Sequence, residues 1–250
     1  MVLLWSAAVA ADDRTPAARP VPADDRAPAR TADWPGSYLS RVEALALIQT
    51  LNAELLSHDS ATLTLEHWCG THRLASPPRI VAERVPGADK PPSPEQRREL
   101  GIAPAEAVRY RRVRLLCGDV VLSEAENWYV PARLTPDMNK LLDTTDLPFG
   151  RVVQALHFRR HTLSSTLLWS PLPEGWEMNA AAVSAHGVSA GAGVGTTGRD
   201  EGGADMSLPP ALLEHRAVLS LPDGTPFSEV VETYTGNILA FPRKLAFPRE

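Results

Sequence analysis

The feature that most restricts what this chain can fold into is an internal copy. Shifting the sequence by about 105 residues lays one strand–turn–strand segment on another. Arg111 then falls on Arg216, Val113 on Val218, Leu116 on Leu221, Ser123 on Ser228, Glu124 on Glu229 and Tyr129 on Tyr234. In the later copy an apolar run, Ala217 to Leu221, meets the turn signal Asp223-Gly224 and then an alternating segment rich in β-formers. The earlier copy runs from Arg111 to Pro131 around Gly118-Asp119. Two related hairpins predict one pseudo-symmetric antiparallel sheet.

Strand side chains alternate between faces, so Ser228, Val230, Glu232 and Tyr234 share one face of the later return strand. A carboxylate between Val230 and Tyr234 is the wrong residue for packing, which makes Glu232 the first candidate for chemistry. Burial there would raise its pKa and let it donate a proton near neutral pH. The alternative is a strand residue facing water. Asn127 holds the equivalent place in the earlier copy, so the duplicated sheet should carry an asymmetric site. Arg112 and Arg114, two apart, also share a face and can fork onto a carboxylate; an exposed edge is the alternative. Gly150 after Phe149 can bring backbone N–H groups to an anion at a helix start, or can make a tight turn.

Around the hairpins the pattern is mixed α and β. Leu39, Val42, Leu45, Ala46, Leu51 and Leu55 recur at helical spacing over 38–57. A second helix, 61–72, follows a cap at Asp59 or Ser60. Residues 80–85 alternate as a short strand, and Ser93-Pro94-Glu95 opens a short helix with proline at its first position. Further helices are predicted over 137–142, 147–156 and from Leu208 to Leu213, and strands over 157–169 and 237–241. Residues 1–36 read as a disordered leader, 178–206 as a slack insert of Ala, Gly, Ser and Thr, and 242–250 as a tail. The ordered domain is 37–241, with order beginning near Trp34.

Composition excludes several classes. A net charge of -5 gives no bulk attraction to nucleic acid, and no run reaches the length of a membrane span. Cys69 and Cys117 fit no zinc spacing; a buried inert thiol is the expectation for Cys117. His157 and His161 would share a face only on a helix, where a strand is predicted, so no metal is expected. No phosphate-binding loop or nucleophile elbow is present. Residues 1–11 have a short apolar run and a small-x-small end at Ala8-Val9-Ala10, without a basic start. That is either a clipped signal peptide, implying a periplasmic or secreted protein, or a loose terminus on a cytoplasmic one.

The order of motifs resembles a known family. A helix ending Leu55-Leu56-Ser57-His58-Asp59-Ser60-Ala61-Thr62, then Arg112-Val113-Arg114-Leu115-Leu116-Cys117, then Leu147-Pro148-Phe149-Gly150-Arg151, then a glutamate-bearing hairpin, is similar to chorismate pyruvate-lyase. It is similar also to the related ligand-binding (UTRA) domain of GntR-type regulators. The resemblance covers roughly residues 40 to 240 apart from the insert. It implies an α+β fold: a six-stranded antiparallel sheet from two pseudo-repeats, with flanking helices. It implies removal of pyruvate from chorismate to leave 4-hydroxybenzoate, a step in ubiquinone biosynthesis, with no metal or cofactor.

Carried over by residue, Arg112 would bind a substrate carboxylate and Glu232 would be the essential acid. Phe149 falls where a leucine contributes its backbone, with Gly150 beside it, and Ala61 where a methionine lines the pocket. The last two substitutions depart from the pattern. A lyase acting as a monomer is the leading expectation. The alternative is a non-catalytic binding protein for a small aromatic carboxylate on the same fold. No helix-turn-helix precedes residue 40, so a GntR-type regulator is not expected.

Overall fold

Each repeat folds into three antiparallel strands, and the two halves join through their last strands. The computed structural model describes residues 34–87, 89–178 and 205–241. In the first half lie β1 (Ile80–Arg84), β2 (Arg109–Cys117) and β3 (Val120–Tyr129). In the second lie β4 (Arg159–Leu167), β5 (Leu213–Ser220) and β6 (Pro226–Tyr234). Their spatial order is β1-β2-β3-β6-β5-β4, with every neighbouring pair antiparallel. The fold is therefore α+β with an open six-stranded sheet, the architecture that the resemblance implies. Glu126 of β3 faces Val231 of β6, the residue that the repeat shift lays on it, so the pseudo-twofold axis passes between them.

Both hairpins carry a β-bulge at the same place. Leu115 pairs with Ser123 but Leu116 with Val121, which leaves Leu122 as the extra residue. Leu219 pairs with Ser228 but Ser220 with Pro226, which leaves Phe227 in that role. The freed carbonyls are used symmetrically. Val130 N–H donates to the Phe227 oxygen at 2.9 Å, and Thr235 N–H to the Leu122 oxygen at 3.0 Å.

The two turns differ in length. Gly118-Asp119 closes the first, while Pro222-Asp223-Gly224 occupies the matching stretch of the second. Each uses a glycine at positive φ, 60° at Gly118 and 89° at Gly224, where a side chain is disfavoured. The extra turn residue corrects the ungapped alignment. Arg111 opposes Asn127 and His215 opposes Glu232, so Arg111 corresponds to His215 and Arg112 to Arg216.

Helices α1 (Tyr38–Ser57) and α2 (Ala61–Thr71) belong to the core of the first half; α4 (Pro136–Thr144) and α5 (Phe149–Val152) belong to the second. The short α3 (Pro94–Glu99) contacts β6. Ser37, Ser60, Ser93 and Thr135 cap α1 to α4 by accepting a backbone N–H three residues on. Trp34 is fully buried and its indole N–H donates to the Leu239 carbonyl at 3.2 Å.

The helix over 38–57 forms, but its buried side is Ala44, Ile48, Leu51 and Leu55; Leu39 is exposed. Apolar residues lie on several sides of α1, so spacing alone did not select the inward one. Two elements differ from expectation. Residues 237–241 give a 3-10 turn, Gly236–Leu239, and no strand, because Thr235 caps it through the Asn237 N–H. Residues 208–213 make no helix before β5. The expected leader, insert and tail fall almost wholly outside the described residues. Among those, no helix is long and apolar enough to cross a membrane.

Cys117 is not a free thiol. It forms a disulfide with Cys69, joining β2 to α2 with 6.4 Å between Cα atoms. Both cysteines are fully buried. The bond closes 48 residues of chain, and a loop of that size constrains the unfolded state by about 2–4 kcal/mol. Replacing both cysteines with alanine should lower unfolding free energy by about that amount in denaturant titrations without reductant. The variant should match wild type in reductant; equal stability in both conditions would show that the bond does not form.

Candidate functional site

Between the two cores, on the helix-covered side of the sheet, lies a narrow cavity of about 40 Å³. Strand alternation selects what faces it. From β2 come Arg111, Val113 and Leu115; from β3, Ala125 and Asn127; from β6, Val230 and Glu232. Arg160 and Leu219 enter from β4 and β5, and Phe158 from just before β4. Opposite the sheet, the starts of α2 (Ser60, Ala61, Thr62) and α5 (Phe149, Gly150) close the space. A Cβ at position 150 would stand 3.0 Å from Thr62 Oγ1 and 3.3 Å from Ser60 Oγ, so a glycine there lets the two helix starts touch. Arg151 pairs with Glu66 across the same junction.

Glu232 lines the cavity but is not a lone acid. Arg160 Nη2 donates to its Oε2 at 2.6 Å and the Tyr234 hydroxyl donates to the same oxygen at 3.2 Å. Both members of the ion pair are buried, with side chains 4% and 9% exposed. Complete burial raises the Tyr234 hydroxyl well above its ordinary range and keeps it a donor. With Oε2 occupied, Oε1 is the acceptor that Glu232 can still offer. Asn127 Oδ1 accepts from Ser228 at 2.6 Å, which leaves amide N–H groups as its contribution.

Among the described residues that line the cavity, the cation without an ion-pair partner is Arg111. Its Nη2 donates to the Leu147 carbonyl at 3.1 Å, while Nε and Nη1 are buried with no acceptor. Burial, helped by the Arg84 charge, lowers its pKa to about 10, so it remains charged at neutral pH. A buried guanidinium with unmet donors costs several kcal/mol, and an anion in the cavity would relieve that cost. From the pairing register, Arg111 and Glu232 have Cα atoms about 12 Å apart, two strand spacings across and two residues along. Val113, Ala125, Asn127 and Val230 lie in the interval.

Of the sequence candidates, Glu232, Phe149, Gly150 and Ala61 meet around this one space. Arg112 does not. It points to the opposite face of the sheet, where it and Arg114 approach Glu124 of their own hairpin at 3.5 and 3.8 Å. The expected fork of two arginines onto a carboxylate is therefore made within the hairpin. Alternation along β2 is unbroken, so Arg111 shares the inward face of Val113, Leu115 and Cys117 and Arg112 takes the other. The bulge at Leu122 acts on β3 instead, bringing Ala125 and Asn127 to that same face. Sequence reading also missed Arg160, whose partner lies two strands away, and the buried His215. Among the described residues no group of three or more His, Cys, Asp or Glu is placed to hold a metal ion.

Fold and cavity together define an α+β domain of pseudo-duplicated antiparallel hairpins enclosing a small chamber that holds both a buried ion pair and a buried guanidinium. The chain belongs to the family of the protein described as uncharacterized protein y4mC of Sinorhizobium fredii, with 54% identity over 233 residues, covering 92% of this chain and 90% of that one. No family model matches it. Among solved structures, PhnF from Mycobacterium smegmatis is similar at 12% identity and a TM-score of 0.43, over 77% of this chain and 70% of that one. The possible transcriptional regulator YydK from Bacillus subtilis is similar at 15% identity and a TM-score of 0.36. That match spans 66% of this chain and 62%, less than two thirds, of the regulator. The fold itself rests on the strand order and register described above.

Two measurements test these electrostatics. Arg160→Met leaves Glu232 buried and unpaired and should cost about 3–5 kcal/mol, with most of it recovered in the double variant carrying Glu232→Leu. His215, opposite Glu232, is pushed down to about 4 by burial and the Arg160 charge, with Glu232 opposing. An imidazole in the unfolded chain titrates near 6.5, so between there and about 4 the unfolded chain takes up a proton that the native state refuses. This contribution to stability is complete above about pH 6.5 and is lost as pH falls toward 4. Thermal unfolding should show His215→Gln gaining on wild type as pH drops through that window.

Proposed function

We propose that this protein binds a small aromatic carboxylate bearing a hydroxyl group, with 4-hydroxybenzoate as the model ligand. The observation that carries this reading is Arg111, a buried cation whose Nε and Nη1 have no acceptor, in a cavity whose walls combine apolar side chains with the matched Arg160–Glu232 pair. A carboxylate would accept from Arg111, the ring would lie against Phe149, Val113 and Val230, and the hydroxyl would donate to Glu232 Oε1. Ala61 and Thr62, the first residues of α2, line the same space, and a helix start favours an anion.

A catalytic reading uses the same residues. In it the cavity holds chorismate, Arg111 and not Arg112 takes a carboxylate, and Glu232 orients the oxygen of the bond to the departing pyruvate. What favours it is that an acid and a free guanidinium line one chamber. What favours binding alone is charge. Chorismate is a dianion, whereas Arg160 is already matched to Glu232, so Arg111 is the cation left for the ligand.

Calorimetric titration with 4-hydroxybenzoate should give measurable affinity, and Arg111→Gln should weaken it by tenfold or more, the value of a charge-assisted hydrogen bond. Arg112→Gln should leave it unchanged. Incubation with chorismate, following pyruvate, separates the two readings. Turnover that disappears in Glu232→Gln would establish the lyase, and 4-hydroxybenzoate binding without turnover the binding protein. No binding of either compound removes both.

A further inference from the structure

Outside the cavity, between the end of α1, the first turns of α2 and the 3-10 turn Gln154–Leu156, runs a second and wider depression. It shares three wall residues with the inner chamber: Asp59, Ser60 and Phe158 line both. The two spaces therefore back onto one seam of shared wall residues, which a ligand longer than a single ring would have to cross to occupy both.

Their charges are opposite in kind. The inner chamber offers the unmatched Arg111 beside the self-neutralising Arg160–Glu232 pair. The outer groove is lined by Glu54, Asp59 and the imidazoles of His58, His67 and His157, with no lysine or arginine among its lining residues. Asp59 is engaged, accepting from the Arg160 backbone N–H at 2.8 Å and lying 3.8 Å from the exposed Arg159 guanidinium. Glu54 is not so engaged: its Oε2 is buried without a hydrogen-bond partner. The groove is the wrong environment for a second anion and a fitting one for an ammonium, which Glu54 would pair with and the imidazoles would accept from.

We propose that the outer groove is a subsite for a positively charged tail, so that the ligand is a dipolar molecule with a carboxylate inward, an apolar ring at the middle and an amine outward. This rests on the carboxylate reading of the inner chamber and narrows it to amine-bearing aromatic carboxylates. Ligand length decides occupancy: benzoate fills the chamber alone, while a para-aminoalkyl benzoate reaches across the seam at Phe158.

The test compares benzoate with 4-(2-aminoethyl)benzoate by calorimetry on the full chain. The amine-bearing compound should bind at least fivefold tighter. Glu54→Gln should abolish that advantage and leave benzoate affinity unchanged. Leu63→Arg, at a partly exposed position on the groove wall, should do the same through repulsion while disturbing no core contact. Equal affinities for the two compounds in wild type, or an advantage that persists in both variants, would overturn the subsite and leave the inner chamber standing. Indifference of both compounds to Arg111→Gln would instead sink the carboxylate reading, and the dipolar ligand with it.

Discussion

Everything in this molecule hangs on the antiparallel seam between β3 and β6. The pairing of Glu126 with Val231 puts the pseudo-axis at the centre of the sheet, and the remaining strands follow outward in mirrored order. Register at such a seam is unforgiving, because a slip of one residue exchanges the two faces. The paired bulges at Leu122 and Phe227 fix it on both sides, each freeing a carbonyl that accepts a backbone N–H from the other half of the chain. The disulfide from β2 to α2 and the Trp68 indole bond to the Ile238 carbonyl, 2.9 Å, then tie the helical layer to the same sheet.

On this symmetric frame the site is asymmetric, and the asymmetry is electrostatic. Equivalent positions carry Arg111 and His215, Asn127 and Glu232, and Ala82 and Arg160. One half thus supplies a matched acid and base with a neutral imidazole behind them. The other supplies a lone guanidinium and an amide. Duplication provides the walls, and divergence of three side chains provides a chamber with one uncompensated charge. A fully symmetric version would have none, or would bury two like charges at a cost of several kcal/mol.

Burial of the ion pair also bears on the chemistry open to Glu232. A carboxylate gripped at 2.6 Å by Arg160 is a stable acceptor at a defined position. Its value to a ligand is orientation, through the oxygen that Arg160 and Tyr234 leave available. Phe149 and Gly150 contribute shape, since the contact between the starts of α5 and α2 sets how near the roof comes to the sheet.

Much of this was legible in the amino-acid order. The repeat announced the sheet, alternation put Glu232 among packing residues, and caps and turn glycines marked most element ends. These are local signals, written in spacings of a few residues. What could not be read is what depends on partners far along the chain. Arg160 meets Glu232 across 72 positions, and Cys69 meets Cys117 across 48. Nor does any residue type announce a bulge at Leu122. The inward face of Arg111 follows from its alternation with Val113 and Leu115, but bringing Ala125 and Asn127 beside it was decided by hydrogen-bond register, a property of two strands together and of neither alone.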